Sequence, residues 1–249
     1  LLTFLYLWIL VALRSHLDEL VGILLPLIAY QWEVSGLFFL FILLFVLVNR
    51  RWKVLVGFAM SLSILLIVSF LVYPGWGLPY VRAVLSDWYR GANLTFGYML
   101  TSRFPDLRFP IDRVVPIALG LIIFIEWLGA LGGNFRRVVW AASLSLAVMP
   151  LMGLPIFPSD QVVLLLPLVL ILALAWERWQ RRRILVIVLI LLLAIVIPFS
   201  LYLRAVYIYD PLVTDLLSVF PPLAAIVGLY WMRWWIIRSP RPWFDQAGD

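Results

Sequence analysis

Residues 54–73 read VLVGFAMSLSILLIVSFLVY, a stretch without a single charged side chain. An α-helix rises about 1.5 Å per residue, so a stretch of this length is what a helix needs to cross the hydrocarbon core of a bilayer. Pro74 and Gly75 follow at once and predict the end of the helix. The stretch therefore predicts a membrane-spanning helix and guides the interpretation of the other apolar runs.

Eight further apolar runs accompany this stretch. Three are of similar length, at 114–133, 184–203 and 213–232, and four are shorter, at 17–32, 34–48, 138–152 and 161–176. Residues 1–13 look like half of a divided span, so the chain is interpreted as the C-terminal fragment of a longer protein. The sequence predicts an all-α, polytopic transmembrane helix bundle of about nine membrane segments, forming a single domain over 1–249.

Composition supports lipid as the solvent of this chain. It is 65% hydrophobic and 13% charged, whereas soluble proteins are about half apolar and about a quarter charged. The absence of cysteine excludes disulfide and thiolate chemistry. The single histidine, His16, lies among charged neighbours and is predicted to be a solvated loop residue. No metal and no cofactor are therefore expected.

The basic residues fall on every second loop. Thirteen of the nineteen lysines and arginines lie at residue 14, in the loops 49–53, 134–137 and 176–183, and after residue 232. This distribution follows the positive-inside rule and predicts a plasma-membrane protein with a cytoplasmic C-terminus. It also explains the net charge of +6 by membrane lipids rather than by nucleic acid.

The loop 74–113 is predicted to be extracytoplasmic and to contain short interfacial helices. Apolar residues recur at helical spacing at Val81, Val84, Leu85 and Trp88, with Trp76 and Trp88 as expected interfacial anchors. Gly91 is expected to end this helix. A second short helix is expected from Asn93 or Thr95 to Leu100.

Polar residues on the predicted outer side are the candidates for a binding site. Gln31 and Glu33 lie in a turn between two short segments, where they are either solvated or part of a cavity. Asp160, next to Gln161, either caps the following helix or holds a polar ligand.

Glu126 is the acid that falls inside a predicted span. It is either a functional intramembrane carboxylate or an interfacial residue near the end of the helix, within reach of Arg136 or Arg137. The second interpretation is preferred. Motifs of ATPases, serine hydrolases and zinc proteases do not occur in the chain.

Several stretches resemble the C-terminal part of bacterial GT-C-type integral-membrane glycosyltransferases. They are 20–58 (LVGILLPLIAYQWEVSGLFFLFILLFVLVNRRWKVLVGF), 73–76 (YPGW), 91–95 (GANLT) and 161–167 (QVVLLLP). The similarity is to polyprenol-phosphate-mannose-dependent mannosyltransferases and their uncharacterised relatives. Many of these carry Lys-Pro at the first outer turn, where this chain has Tyr30-Gln31-Trp32-Glu33.

The resemblance implies transfer of mannose or another hexose from a polyprenyl-phosphate donor to a lipid or glycan acceptor on the extracytoplasmic face. The family's catalytic aspartate lies in its first outer loop and is expected upstream of Leu1, so no residue here inherits that role. Candidate substrate-binding residues are Gln31, Glu33, Asn93, Asp160 and Gln161, with Arg82 and Arg90 for the lipid phosphate.

Two other functions remain open at this point. A transporter or lipid flippase would share the short, proline-interrupted helices. A non-catalytic membrane scaffold would use the polar turns only to end its helices.

Overall fold

The computed structural model describes residues 1–91, 100, 111–152, 158–179, 182–208 and 211–238. Every regular element in these ranges is helical. The α-helices are α1 (Leu2–Arg14), α2 (Asp18–Ala29), α3 (Trp32–Val48), α4 (Trp52–Val72), α5 (Gly77–Gly91), α6 (Ile111–Leu131), α7 (Phe135–Val148), α8 (Leu165–Arg178), α9 (Arg183–Ile208) and α10 (Pro211–Arg238). Two 3-10 helices, Met149–Leu151 and Pro158–Leu164, lie between α7 and α8.

Five helical segments are long and apolar enough to cross a membrane. They are Trp52–Val72, Arg113–Leu131, Asp160–Arg178, Ile184–Tyr207 and Leu216–Ile236. The all-helical membrane architecture is thus supported. Each of the nine predicted segments contains a helix, but α1, α2, α3 and α7 are shorter than a full span.

The helix α7 explains how a short helix is accommodated. It packs against α3, α6, α8 and α10, and residues 140–149 are all buried. The Trp127 indole Nε1 donates to Ser145 Oγ at 2.8 Å, and that hydroxyl donates to the carbonyl of Ala141 at 2.8 Å. Since α7 is covered by other helices, its length need not match the bilayer and its hydroxyls need not face lipid.

The helices α2 and α4 approach each other most closely at two glycines. A Cβ atom on Gly22 would collide with the backbone of Val54, and one on Gly57 would lie 2.8 Å from the carbonyl oxygen of Glu19. The Ser61 hydroxyl also donates to the carbonyl of Ile23 at 3.2 Å. Small residues at this crossing allow the two backbones to pack directly, as in many membrane helix pairs.

Outer surfaces of α4 and α9 are apolar and exposed. In α4 every residue from Leu62 to Val72 is exposed, and no residue of the apolar stretch Ile184–Tyr207 in α9 is buried among those described. Such broad apolar surfaces are suited to contact with lipid acyl chains.

Two helices end in the same way. His16 and Arg50 have φ angles of 55° and 53°, in the left-handed region. Each is followed by an amide that bonds back five residues, from Leu17 to Ala12 at 2.9 Å and from Arg51 to Val46 at 3.0 Å. This is the Schellman geometry, which satisfies helix-end carbonyls and usually employs glycine. His16 is exposed, as the sequence predicts.

Several predicted loops are shorter than expected because the helices continue into them. Arg136 and Arg137 lie in the first turn of α7, Arg178 is the last residue of α8, and Arg204 lies within α9. Arginine has high helix propensity, so basic residues flanking an apolar run extend the helix rather than end it. The first helix predicted in the loop 74–113 is present as α5 (Gly77–Gly91), while the second short helix near Asn93 lies outside the described residues.

A test of the α2–α4 crossing compares two glycine substitutions. Gly22→Ala is expected to lower the free energy of unfolding by about 1–3 kcal/mol, because the new methyl group meets backbone. The control is Gly129→Ala in α6, where an added Cβ meets nothing within 4 Å. That variant should be neutral or more stable by up to about 1 kcal/mol. Equal effects in detergent unfolding measurements would contradict the close crossing.

Candidate functional site

Contacts between helix termini define two ends of the bundle. At one end Arg51 donates to the carbonyl of Leu13 at 2.8 Å and to Asp18 Oδ1 at 3.2 Å, which joins the end of α1 to the starts of α2 and α4. Arg136 at the start of α7 lies 3.6 Å from Glu177 near the end of α8. We call this the basic end; it comprises 13–18, 49–53, 132–137, 176–179 and 182–183.

The opposite end brings together the starts of α1, α3 and the segment leading into α8. The Thr3 hydroxyl donates to the carbonyl of Val162 at 3.3 Å. A Cβ atom on Gly36, in the first turns of α3, would lie 3.0 Å from Met149 Cε just after α7. The predicted candidates Gln31, Glu33, Asp160 and Gln161 therefore lie at the same end, as the sequence analysis expects.

A buried polar pair lies below the turn that holds Gln31 and Glu33. The hydroxyls of Tyr6 and Ser35 are 2.6 Å apart, and both residues are fully buried. The Tyr6 ring also contacts Phe38, with centroids 4.8 Å apart. The pair joins α1 to α3, and each polar group satisfies the other in the apolar core. The sequence does not reveal this pair, because a tyrosine in an apolar run gives no sign of its partner.

The two carboxylates proposed for the site occupy different surroundings. Glu33 is exposed in the first turn of α3, while Asp160 is half-buried inside the 3-10 helix Pro158–Leu164. The N-cap of α8 is Leu164, so the interpretation of Asp160 as its N-cap is wrong. The 3-10 helix displaces the start of α8 along the chain. Gln31 precedes α3 and makes no side-chain cap bond to it.

Gln161 performs a structural task that the sequence does not reveal. Its amide Nε2 donates to the carbonyls of Leu217 at 3.3 Å and Ser218 at 2.9 Å. In a regular helix these carbonyls would accept from the amides of residues 221 and 222, but both are proline and have no N–H. One side-chain amide, with two hydrogens, thus replaces two missing backbone donors.

The arginine candidates lie on α5. Arg82 is exposed, as are all side chains from Leu78 to Ser86, on both the apolar and the polar face of this amphipathic helix. Arg90 belongs to the same helix, but its side chain and the whole of Asn93 lie outside the described residues. The structure therefore places Arg82 on the surface and leaves the proposed phosphate contact as a prediction.

Glu126 pairs with an arginine that is distant in sequence. Its Oε2 lies 3.0 Å from the guanidinium of Arg233, and the Tyr230 hydroxyl donates to Oε1 at 3.4 Å. The expectation of a pair with Arg136 or Arg137 is thus corrected, because Glu126 lies well inside α6, which continues to Leu131.

Trp140 supports this ion pair from α7. The Arg233 guanidinium carbon lies 5.7 Å from the Trp140 ring centroid, and the Tyr230 ring meets Trp140 edge to face at 5.6 Å. The Trp140 Nε1 donates to the carbonyl of Leu229 at 3.1 Å. The Glu126 side chain is only 15% exposed and is neutralised by its partner. This arrangement ties α6, α7 and α10 together and gives Glu126 a structural role.

Comparison with known proteins found no match among protein-family models, curated proteins or solved structures. Function is therefore inferred from the chain itself. Its relevant features are the polar turns at the end opposite the basic end, the exposed amphipathic helix α5 and the extensive apolar surface.

The role of Gln161 is tested by a double-mutant cycle. Gln161→Leu is expected to lower the free energy of unfolding by about 1–3 kcal/mol, because two carbonyls lose their donor. In a Pro221→Ala/Pro222→Ala background the backbone amides return, and the same change should cost less than about 0.5 kcal/mol. Equal losses in both backgrounds, measured by unfolding in detergent, would disprove the proposed compensation.

The ion pair of Glu126 is tested in the same assay. Glu126→Gln should destabilise by about 1–3 kcal/mol, because it leaves the Arg233 guanidinium without its counter-charge. Adding Arg233→Gln should recover part of the loss. The control is Glu19→Gln, whose side chain is exposed and which should change stability by less than about 0.5 kcal/mol. A loss as large in the control would argue against a specific pair.

Proposed function

We propose that the chain is part of an integral-membrane glycosyltransferase. It would transfer mannose or another hexose from a polyprenyl-phosphate donor to a lipid or glycan acceptor. The observation that supports this best is the grouping of polar turns, with Gln31, Glu33, Asp160 and Gln161, at one end of a bundle that exposes wide apolar surfaces. A lipid-linked sugar needs both an apolar surface for its chain and polar groups for its head.

The orientation of the bundle follows from its charge in this proposal. The basic end faces the cytoplasm of the cell, and the polar turns face the extracytoplasmic side, where the donor sugar is met. The nine segments are embedded in the plasma membrane, the C-terminus is cytoplasmic, and the region 74–113 is the extracytoplasmic loop. The exposed, amphipathic character of α5 agrees with a position in the interface.

The proposed chemistry is an inverting displacement. The acceptor hydroxyl oxygen bonds to the anomeric carbon, the bond from that carbon to the phosphate oxygen breaks, and the hydroxyl proton passes to a carboxylate. Polyprenyl phosphate leaves and takes the electron pair. No residue of this chain is assigned as the catalytic base.

Substrate binding is assigned to side chains that form hydrogen bonds with sugar or phosphate. Glu33 and Asp160 accept from sugar hydroxyls, and Gln31 donates or accepts. The Gln161 amide nitrogen already serves two carbonyls, so its contribution would be the Oε1 acceptor. Arg82 and Arg90 on α5, together with Asn93, would stabilise the charge of the leaving phosphate.

A transporter or lipid flippase is the second candidate. The observation that favours it is the interrupted backbone ladder of α10 at Pro221 and Pro222, completed by Gln161 from another segment. Transporters commonly place such broken helices around their substrate. A non-catalytic membrane scaffold would need neither the transfer activity nor the movement of a lipid.

Transfer from a labelled donor tests the proposal. Membranes containing the natural protein, and matched membranes from which it is deleted, are incubated with labelled polyprenyl-phosphate mannose. The label is expected to appear in a lipid or glycan product only with the protein present. Glu33→Gln and Asp160→Asn should each reduce transfer by about tenfold or more, as loss of a contact of about 1.4 kcal/mol would.

The outcomes distinguish the candidate functions. The exposed Glu19→Gln serves as the matched control and should retain full transfer. Absence of transfer with several donor sugars would refute the enzyme proposal. Translocation of the intact labelled lipid in its place would favour the flippase, and full tolerance of both site variants by the cell would favour the scaffold.

A further inference from the structure

Three tryptophans pack together at the basic end. Trp179, directly after α8, contacts Trp231 and Trp235 of α10 with ring centroids 5.3 and 5.6 Å apart, and the last two rings are 6.0 Å apart. The guanidinium carbon of Arg178 lies 5.5 Å from the Trp235 ring centroid. We call Trp179, Trp231 and Trp235 the tryptophan cluster. Trp179 meets Trp231 at a tilt of 37°, the other two pairs meet edge to face, and the Arg178 cation lies over the Trp235 ring.

The cluster remains open to the surroundings. Trp231 is 52% exposed, and the neighbouring Trp176 and Trp234 are 47% and 58% exposed. Arg178 and Arg182 are exposed as well. Tryptophan prefers the boundary between hydrocarbon and water, where its ring is in apolar surroundings and its N–H is hydrated. The cluster therefore marks the depth of the lipid headgroups on this face of the bundle.

The sequence around Arg178 and Arg182 is predominantly basic. Glu177, the nearest acid along the chain, is directed to Arg136 at 3.6 Å, and the chain has no further acid between Arg178 and Asp210. Within the described ranges no ion pair includes Arg178 or Arg182. Arg178, which lies over the Trp235 ring, and the exposed Arg182 are thus available for an anion from outside the chain.

We infer that the tryptophan cluster, with Arg178 and Arg182, binds the headgroup of an anionic phospholipid. The arginines contact the lipid phosphate, for which the guanidinium is well shaped, and the indole rings pack against the glycerol and upper acyl chains. The lipid is favoured over an acidic protein segment because the exposed tryptophans supply an apolar surface that a charged peptide would not cover. This inference is independent of the proposed enzymatic function.

Lipid binding is measured on the purified full chain in detergent. Phosphatidylglycerol and phosphatidylcholine of identical acyl chains are titrated, and bound lipids are counted by native mass spectrometry. Phosphatidylglycerol is expected to bind preferentially. Arg178→Gln should weaken its binding roughly fivefold, as expected for one basic residue near a lipid surface. Trp235→Leu should weaken it as well.

The control is Arg204→Gln, which removes the same charge from an exposed position in α9 to which no binding role is assigned. It should leave phosphatidylglycerol binding unchanged. Equal binding of both lipids, or equal effects of the Arg178 and Arg204 variants, would overturn the inference. If Trp235→Leu fails to fold, the comparison of the two arginine variants still tests the inference. Circular dichroism can verify that both arginine variants are folded.

Discussion

Inside a bilayer every backbone N–H and C=O group must find a partner within the protein, and most features of this bundle follow from that requirement. It accounts for the helical structure throughout the described residues. It also explains the hydrogen bonds of Gln161. Pro221 and Pro222 lack the N–H groups that a regular helix would provide, and the Gln161 amide, from another segment, donates to the two carbonyls left without a backbone donor. Similar side-chain donors reach the carbonyls of Ile23 and Leu229. These bonds connect different helices, so backbone satisfaction also contributes to tertiary structure.

Helices of this chain are predictable from the sequence where a single local property determines them. The apolar run 54–73 predicted the helix Trp52–Val72 within two residues, since length and hydropathy alone determine such a helix. The burial of a helix is less predictable, because it depends on the position of the helix in the bundle. The run 138–152 was recognised as short, but only packing showed that α7 is the buried centre of the fold. Its alanines and serines were the available sign, because small and hydroxyl-bearing residues are typical of helix interfaces in membranes.

For the polar residues too, the sequence predicts which end of the bundle they occupy better than it predicts which side chains they contact. The alternation of basic loops grouped Gln31, Glu33, Asp160 and Gln161 at one end, and the helix-end contacts agree with that grouping. The partners of individual side chains were not accessible in this way. Arg233 is 107 residues from Glu126, whereas Arg136 and Arg137 are near Glu126 in sequence, which is the reason the sequence favours them as partners. A carboxylate on a helix pairs with the arginine that the fold brings closest to it. A single sequence does not show which arginine that is.

The glycine crossing of α2 and α4 determines how this molecule can move. Where the two backbones touch, there are no side chains whose rotation would let α2 slide past α4. We therefore expect the two helices to move as one rigid unit. At its C-terminal end, α2 continues into the turn that contains Gln31 and Glu33, and α4 continues into Tyr73 and the start of α5. A tilt of α5 would therefore be transmitted mechanically to that polar turn, while any shear within the bundle must occur between the α2–α4 pair and the remaining helices.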